Sequence, residues 1–108
     1  MVTEAARRDL VFRAIADPTR REIIRRLRDG RLSVGELAAN FQQSRPAISK
    51  HLRLLRAAGL VDTHERGATR LCELNAAPLR AVDTWLRDYE TMWRGSLRQL
   101  KRHLERKP

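Results

Sequence analysis

With 108 residues, 42% of them hydrophobic, the chain is predicted to fold as a single domain rather than to be disordered. Its 23 lysine and arginine residues outnumber 13 acidic residues and give a net charge of +10, which favours nucleic acid as the partner. A coding bias towards arginine would produce part of the same excess, so the charge alone does not decide the function.

Cysteine content and hydropathy bear on where the protein works. The single cysteine, Cys72, excludes an intramolecular disulfide and fits a reducing compartment. No stretch near the start is apolar enough for a signal peptide, and no run approaches the roughly 18 apolar residues that span a bilayer. We therefore expect a cytoplasmic protein with no membrane partner.

The first part of the chain predicts two helices. Apolar residues at helical spacing indicate a first helix over about 7–16. Asp17 followed by Pro18 is an N-cap with proline at the first helical position, so a second helix begins there and stops at Gly30.

Two further helices follow, separated by a short turn. Ser33 and Glu36 have the spacing of a capping box, which opens a short third helix. Ser44 is another good N-cap and predicts a fourth helix over 45–58, with Gly59 as the residue that ends it.

The segment after the fourth helix predicts a β-hairpin. Residues 60–65 and 68–74 are two short runs with strand-forming composition, and Arg66-Gly67 between them is expected to form the turn.

The last part of the chain predicts a long helix, with Asn75 as its cap, that starts at about residue 76 and carries a heptad seam. An ordinary core helix would show part of this pattern. The apolar face, widened by Trp85, Met92 and Leu104, is broader than one packing partner in so small a domain needs, so a symmetry mate is the favoured partner. The residues of the predicted homodimer contact on this helix are Leu79, Val82, Leu86, Tyr89, Trp93, Leu97 and Leu100.

Together these elements predict a mainly α, winged helix-turn-helix fold of order α-α-α-α-β-β-α with a long C-terminal dimerisation helix. It is one domain over 1–108, with the helix-turn-helix at about 33–58, the wing at about 60–74 and dimerisation helices at about 7–16 and 76–104.

In a helix-turn-helix the second helix enters the major groove of DNA, so its outward face is the candidate reading surface. Ile48, Leu52 and Leu55 share one face and are predicted to be its buried stripe. The hairpin tip is expected to approach the minor groove. The predicted contacts to double-stranded DNA are Gln43, Ser44, Arg45, Ser49, Lys50, His51, Arg53 and Arg56 on and before the helix, and Arg66 and Arg70 on the wing.

The sequence resembles the ArsR family of bacterial regulators. The resemblance lies in the runs 12–20, 33–38 and 47–61 and in Arg66-Gly67, and the segment His51-Leu52-x-x-Leu55-x-x-Ala58-Gly59-Leu60-Val61 is its most specific part. It implies a dimeric winged-helix repressor that occupies a pseudo-palindromic operator. It also implies that the first and last helices form the dimer contact, which adds Leu10 to the predicted interface.

Many members of that family release DNA on binding a metal, but their ligand patterns are largely missing here. Residues 35–39 lack the Cys-x-Cys pair of the arsenic, cadmium and lead sensors. The nearest match to the zinc sensors is Glu90-x-Met92 followed by His103-x-x-Arg106, which keeps two of four positions. We predict no metal and no cofactor, so the resemblance points to the non-metal, autorepressor-like branch with an unidentified effector. A redox switch at Cys72 would need an exposed thiolate.

Other classes of function are less well supported by the sequence. Asp83, Asp88 and Glu90 all lie on a helix beside arginines, and Asp83 and Glu90 have the i,i+4 spacing of ion pairs. Phosphate-loop and metalloprotease motifs are absent, so we predict that the protein is not an enzyme. A metal-responsive repressor, or a winged-helix module that binds protein or RNA, are the alternatives that stay open.

Overall fold

A computed structural model describes residues 3–106, so residues 1, 2, 107 and 108 of the predicted domain lie outside the described residues. Helix α1 spans Glu4–Ile15 and α2 spans Pro18–Leu27. Thr3 caps α1, accepting a hydrogen bond from the Ala6 amide at 3.0 Å, which is why this helix begins earlier than predicted. Asp17 caps α2 as predicted.

The helix-turn-helix consists of α3, Val34–Ala39, and α4, Arg45–Ala57. The capping box is present: the Ser33 hydroxyl accepts from the Glu36 amide at 3.0 Å, and the Glu36 carboxylate accepts from the Ser33 amide at 2.9 Å. Gly59 has a φ of +76° and ends α4 in a Schellman motif, in which the Leu60 amide donates back to the Leu55 carbonyl at 2.9 Å.

The sheet has three strands, not two. Strands β2, Val61–Arg66, and β3, Thr69–Leu74, form the predicted hairpin, and a two-residue strand β1, Leu32–Ser33, pairs with the other side of β3. Two residues are too few to show alternation, so the sequence pattern did not reveal β1.

The hairpin turn lies one residue later than predicted. Arg66 pairs with Thr69, so Gly67 and Ala68 form the two-residue loop. Gly67 has a φ of +63° and Ala68 does not adopt positive φ, which is the arrangement of a type II′ turn.

The chain enters its last helix through a 3-10 turn at Ala77–Leu79, and α5 then spans Arg80–Glu105. The prediction that Asn75 caps the last helix is wrong: the Asn75 side chain accepts from the Ala77 amide at 3.2 Å, but Ala76 is the N-cap of the 3-10 turn, and α5 continues from that turn without a side-chain cap. Twenty-six helical residues extend about 39 Å. This explains a radius of gyration of 18.6 Å, where a compact domain of this length has about 13 Å.

The core lies between α1, α2, α3, α4 and the sheet. Ile48, Leu52 and Leu55 are at most 1% exposed, which confirms the predicted buried stripe of α4. Helix α5 packs on α1 and on the 3-10 turn, and within residues 80–105 no side chain is completely buried. The winged helix-turn-helix is therefore complete without most of α5.

Candidate nucleic-acid interface

The outward face of α4 carries basic side chains in solvent. Arg45, Lys50 and Arg53 are exposed and Ser49 is half-buried. Within residues 3–106, none of the three basic side chains has an acidic partner within 4 Å. Arginine and lysine in this state are free to bind phosphate or base edges.

The start of α4 combines a cap with an exposed guanidinium group. The Ser44 hydroxyl accepts a hydrogen bond from the Ala47 amide at 3.3 Å, and its own proton stays available as a donor. The guanidinium of Arg45 lies over the first turn of α3, with Nη1 3.9 Å from where a β-carbon would stand at Gly35. The N-terminal end of a helix attracts anions through its free amides and its dipole, so this end of α4 suits a phosphate or a base edge.

Gln43 lies just before α4 and contacts α2. Its side-chain amide donates to the Thr19 hydroxyl at 2.9 Å, and Gln43 itself is exposed. The sequence analysis did not predict a role for Thr19. It follows the Asp17-Pro18 helix start, and its position there was interpreted only as part of that start. The contact places the first turn of α2 beside the start of α4.

His51 lies on the side of α4 that faces α2. Its Nδ1 is 3.2 Å from Nη1 of Arg20 and 3.8 Å from the Asp17 carboxylate. Arg20 also donates through Nε to the Ala14 carbonyl at 2.8 Å. Partial burial raises the pKa of Asp17, but the hydrogen bond from the Arg20 amide and the charges of His51 and Arg20 outweigh this, so its pKa is lowered overall. This network links α1, α2 and α4.

Arg56 lies at the far end of α4, about 16 Å along the helix from Arg45. It is half-buried and lines a cleft against α1 rather than the exposed face. The geometry therefore separates Arg56 from the other predicted contacts, and its role in DNA binding stays a prediction.

The wing presents one basic side chain at its tip and a second one that is paired. Arg66 is exposed at the end of β2 and, in the part of the chain that the structure describes, has no acidic group within 4 Å. Arg70 is opposite Glu65 in the hairpin and lies 3.7 Å from its carboxylate. Of the two, Arg66 is the more available for a phosphate or the minor groove.

The predicted dimer residues divide into two groups. Leu10, Leu79 and Val82 are half-buried against the core of their own chain. The outer residues remain exposed, with Trp93 at 42% and Leu97 at 62%. We call this exposed set the α5 stripe, and its members are Trp85, Leu86, Tyr89, Met92, Trp93, Leu97, Leu100 and Leu104.

The α5 stripe continues into α1 through aromatic contacts. The Phe12 and Trp85 rings meet edge to face with centroids 5.5 Å apart, and Trp85 lies 5.2 Å from Tyr89. This contact orients α5 against α1 and leaves the remaining apolar surface facing outward.

Cys72 is completely buried on the central strand. Burial raises the pKa of its thiol above the ordinary value, against smaller opposing effects of Arg56 and Arg70. A buried thiol with a raised pKa is a poor nucleophile.

Within residues 3–106 no three His, Cys, Asp or Glu side chains gather as a metal site would require. Glu90, one of the residues that match the zinc-sensor pattern, pairs with Arg94. None of the helices formed by these residues is long and apolar enough to cross a membrane.

The sequence is similar to known regulators over most of its length. The family described as bacterial regulatory protein, arsR family, matches residues 17–63. The HTH-type transcriptional regulator Rv2034 of Mycobacterium tuberculosis is 42% identical over 82% of this chain and 80% of its own. The transcriptional repressor SdpR of Bacillus subtilis is 37% identical over 73% of this chain and 88% of its own.

The same likeness holds among solved structures. A crystal structure of an ArsR family transcriptional regulator, RHA00566, has a TM-score of 0.76 and 35% identity, covering 87% of this chain and 97% of that one. An ArsR-like transcriptional regulator from Rhodococcus sp. RHA1 has a TM-score of 0.74 and 32% identity, covering 95% and 94%.

A winged helix-turn-helix with an exposed basic face defines a DNA-binding transcriptional regulator rather than an enzyme. Within that class, this chain belongs to the ArsR family. The predicted fold class and the predicted family are confirmed.

Proposed function

We propose that this protein is a homodimeric repressor that reads a pseudo-palindromic operator with α4 and the wing. The observation that carries the proposal is the coexistence of two surfaces on one small domain. One carries basic side chains that have no acidic partner among residues 3–106, at Arg45, Lys50, Arg53 and Arg66, and the other is the long exposed α5 stripe. The first surface suits a polyanion and the second suits another copy of the chain.

The dimer follows from the cost of leaving the α5 stripe in water. Eight large apolar side chains at heptad-like spacing form a continuous strip, and apolar burial contributes about 25 cal/mol per Å². Because α5 would lie at the symmetry axis, each copy would present the same strip to the other, as a twofold contact requires.

Base reading is assigned to the start of α4. Arg45 would donate in bidentate fashion to guanine, and the side-chain amide of Gln43 would pair with adenine. Ser44, Ser49, Lys50 and Arg53 would add phosphate or base contacts along the same face, while His51 would hold α4 on α2 and reach a phosphate only at its edge.

Two copies related by a twofold axis would place their α4 helices in successive major grooves, with half-sites about 10 bp apart or slightly more. Occupancy of such an operator would exclude polymerase. We assign the operator to the upstream region of the protein's own gene, which makes the repressor autoregulatory. A repressor of this kind works in the cytoplasm, where bacterial DNA is found.

The test is a fluorescence-anisotropy titration of the protein on its own upstream DNA and on a scrambled duplex, at about 150 mM salt, where non-specific binding is weak. We expect a preference of about a thousandfold or more for the natural DNA, with two chains bound per duplex. Equal affinity for both duplexes would contradict autoregulation. HlyU of Vibrio cholerae is 34% identical over 76% of each chain and is named a transcriptional activator. Transcription in vitro from the bound promoter would therefore show whether this protein represses or activates.

A further inference from the structure

A cleft of about 630 Å³ opens between three elements that the proposed DNA and dimer surfaces use only at their edges. Its walls are the first turns of α1, the end of α4 and the 3-10 turn with the start of α5. A volume of this size is within the range of pockets that hold small organic molecules.

Positive charge dominates the cleft. Arg7, Arg8, Arg56 and Arg80 all line it, and Glu4 is the one acidic residue among the lining residues. Over residues 3–106, none of these four arginines has a carboxylate within 4 Å. Like charges in a concave site repel one another and focus a positive potential, so a bound anion would stabilise the arrangement.

The remaining wall is apolar, which distinguishes the cleft from a simple phosphate site. Leu10, Val11, Pro78 and Ala81 line it, and small residues leave its volume open. Gly59 also lines the cleft, and a β-carbon there would stand 3.4 Å from Pro78 Cγ, at the edge of ordinary van der Waals contact. An apolar wall beside guanidinium groups matches a molecule with an apolar body and one carboxylate, which arginine binds in bidentate geometry.

The cleft lies mainly outside both proposed interfaces, although Leu10, a predicted dimer contact, and Arg56, a predicted DNA contact, are among its lining residues. Arg80 and Thr84 lie on the face of α5 roughly opposite to Tyr89 and Trp93, because each helical residue turns about 100°. A second copy seated on the α5 stripe would therefore leave the cleft open. Arg56 connects the cleft to α4, whose other end carries the proposed base contacts.

We propose that this cleft binds a small organic carboxylate with an apolar body, and that the bound anion changes how α4 is held. The anion would draw Arg7, Arg56 and Arg80 together and move the end of α4 towards α1 and α5. The effect on DNA rests on the proposed function, whereas binding of the anion does not.

The first experiment measures binding without DNA. Naphthalene-2-carboxylate is titrated into the full chain by isothermal calorimetry, with the uncharged alcohol naphthalene-2-methanol as the matched ligand. We expect saturable binding of one carboxylate per chain. The dissociation constant of the alcohol should be at least about tenfold higher than that of the carboxylate.

The variants separate the cleft from the general positive charge. Arg7→Gln combined with Arg80→Gln removes two lining cations, and Arg28→Gln combined with Arg98→Gln removes two exposed cations elsewhere. We expect a dissociation constant raised about tenfold or more only in the first double variant. Thr84→Trp, at the rim, should block binding while circular dichroism shows an intact fold.

Absence of saturable carboxylate binding, or equal weakening in both double variants, would overturn the site.

The second experiment repeats the operator titration with saturating naphthalene-2-carboxylate, where we expect about a fivefold or larger loss of DNA affinity. Binding of the carboxylate with no change in DNA affinity would overturn the sensing role. If the first double variant alone lost DNA affinity without ligand, the cleft would be a phosphate contact instead. If no duplex were bound specifically but the carboxylate were, the proposed function would fail and the site would stand.

Discussion

The outer face of α4 and the outer face of α5 are both exposed, but they differ in what they leave unpaired. On α4 and the wing, Arg45, Lys50, Arg53 and Arg66 have no acidic partner within residues 3–106. On α5 many charges are neutralised along the helix, as between Arg87 and Asp83 at 3.1 Å. Two further pairs of this kind join Arg94 to Glu90 and Lys101 to Glu105.

The difference indicates two kinds of partner. Cations without counter-ions are satisfied by a polyanion, whereas an apolar stripe flanked by neutralised charges can meet another protein surface without strong repulsion. Exposure alone would not distinguish the two helices. What distinguishes them is the kind of group that lacks a partner: cations on α4 and apolar side chains on α5. Each of the following variants changes one of these surfaces only.

The largest effect is expected from placing a charge in the α5 stripe. Trp93→Glu would bury a carboxylate without a partner at the proposed dimer contact, which costs several kcal/mol. We expect monomers at concentrations where the wild type is dimeric, with a dimer dissociation constant raised more than about a hundredfold, or ~3 kcal/mol. Sedimentation velocity is the measurement.

Thr91→Glu is the matched control, because Thr91 is exposed on roughly the opposite side of α5. It should remain dimeric. If Trp93→Glu sedimented as the same dimer as the wild type, the stripe would not be the dimer contact.

The next effect concerns base reading by α4. Arg45→Ala should lower affinity for the operator about ten- to hundredfold, because a bidentate contact to guanine contributes roughly 1–3 kcal/mol of discrimination. Affinity for random duplex should fall much less. An equal loss on both DNAs, measured by anisotropy at one salt concentration, would contradict base reading by this residue.

A smaller and less selective effect is expected at the wing. Arg66→Ala should weaken binding to operator and random DNA alike and, because a dimer carries two wings, reduce the slope of log affinity against log salt by about 2. Arg70→Ala should have less effect, since Arg70 already lies 3.7 Å from the Glu65 carboxylate. A larger loss of DNA affinity from Arg70→Ala than from Arg66→Ala would contradict the assignment of Arg66 as the main DNA contact of the wing.

The smallest effect separates capping from binding at Ser44. Ser44→Ala removes the acceptor for the Ala47 amide and should lower the free energy of unfolding by about 1 kcal/mol. Ser44→Asn keeps a good N-cap and should restore this stability in urea denaturation. If Ser44→Asn also restores operator affinity, the hydroxyl matters through the cap and not through DNA.

Much of this architecture was predictable because local chemistry decides it. Asp17-Pro18, the Ser33–Glu36 box and Ser44 set three helix starts through caps within three residues, and Gly59 ends α4 with a positive φ. The buried stripe of α4 followed from its 3.6-residue period.

What the sequence did not reveal depends on contacts between distant residues. Strand β1 exists because Leu32 meets Cys72, and the turn settles on Gly67 and Ala68 because of the register of the whole hairpin, in which Val61 pairs with Leu74. The contact from Gln43 to Thr19 and the network around His51 likewise join residues more than 20 positions apart. Arg56 lies on nearly the same face of α4 as Arg45, so the sequence pattern grouped the two as DNA contacts. Only the packing of α1 against α4 shows that Arg56 lines a cleft.

Selection of bound duplexes from a random library by the purified protein tests both surfaces at once. Specific reading by α4 in a dimer predicts enrichment of an inverted repeat whose half-sites are centred about 10 bp, one helical turn, or slightly more apart. A library that stays random after selection, or that yields a single half-site without a symmetric partner, would contradict a dimer that reads DNA through α4.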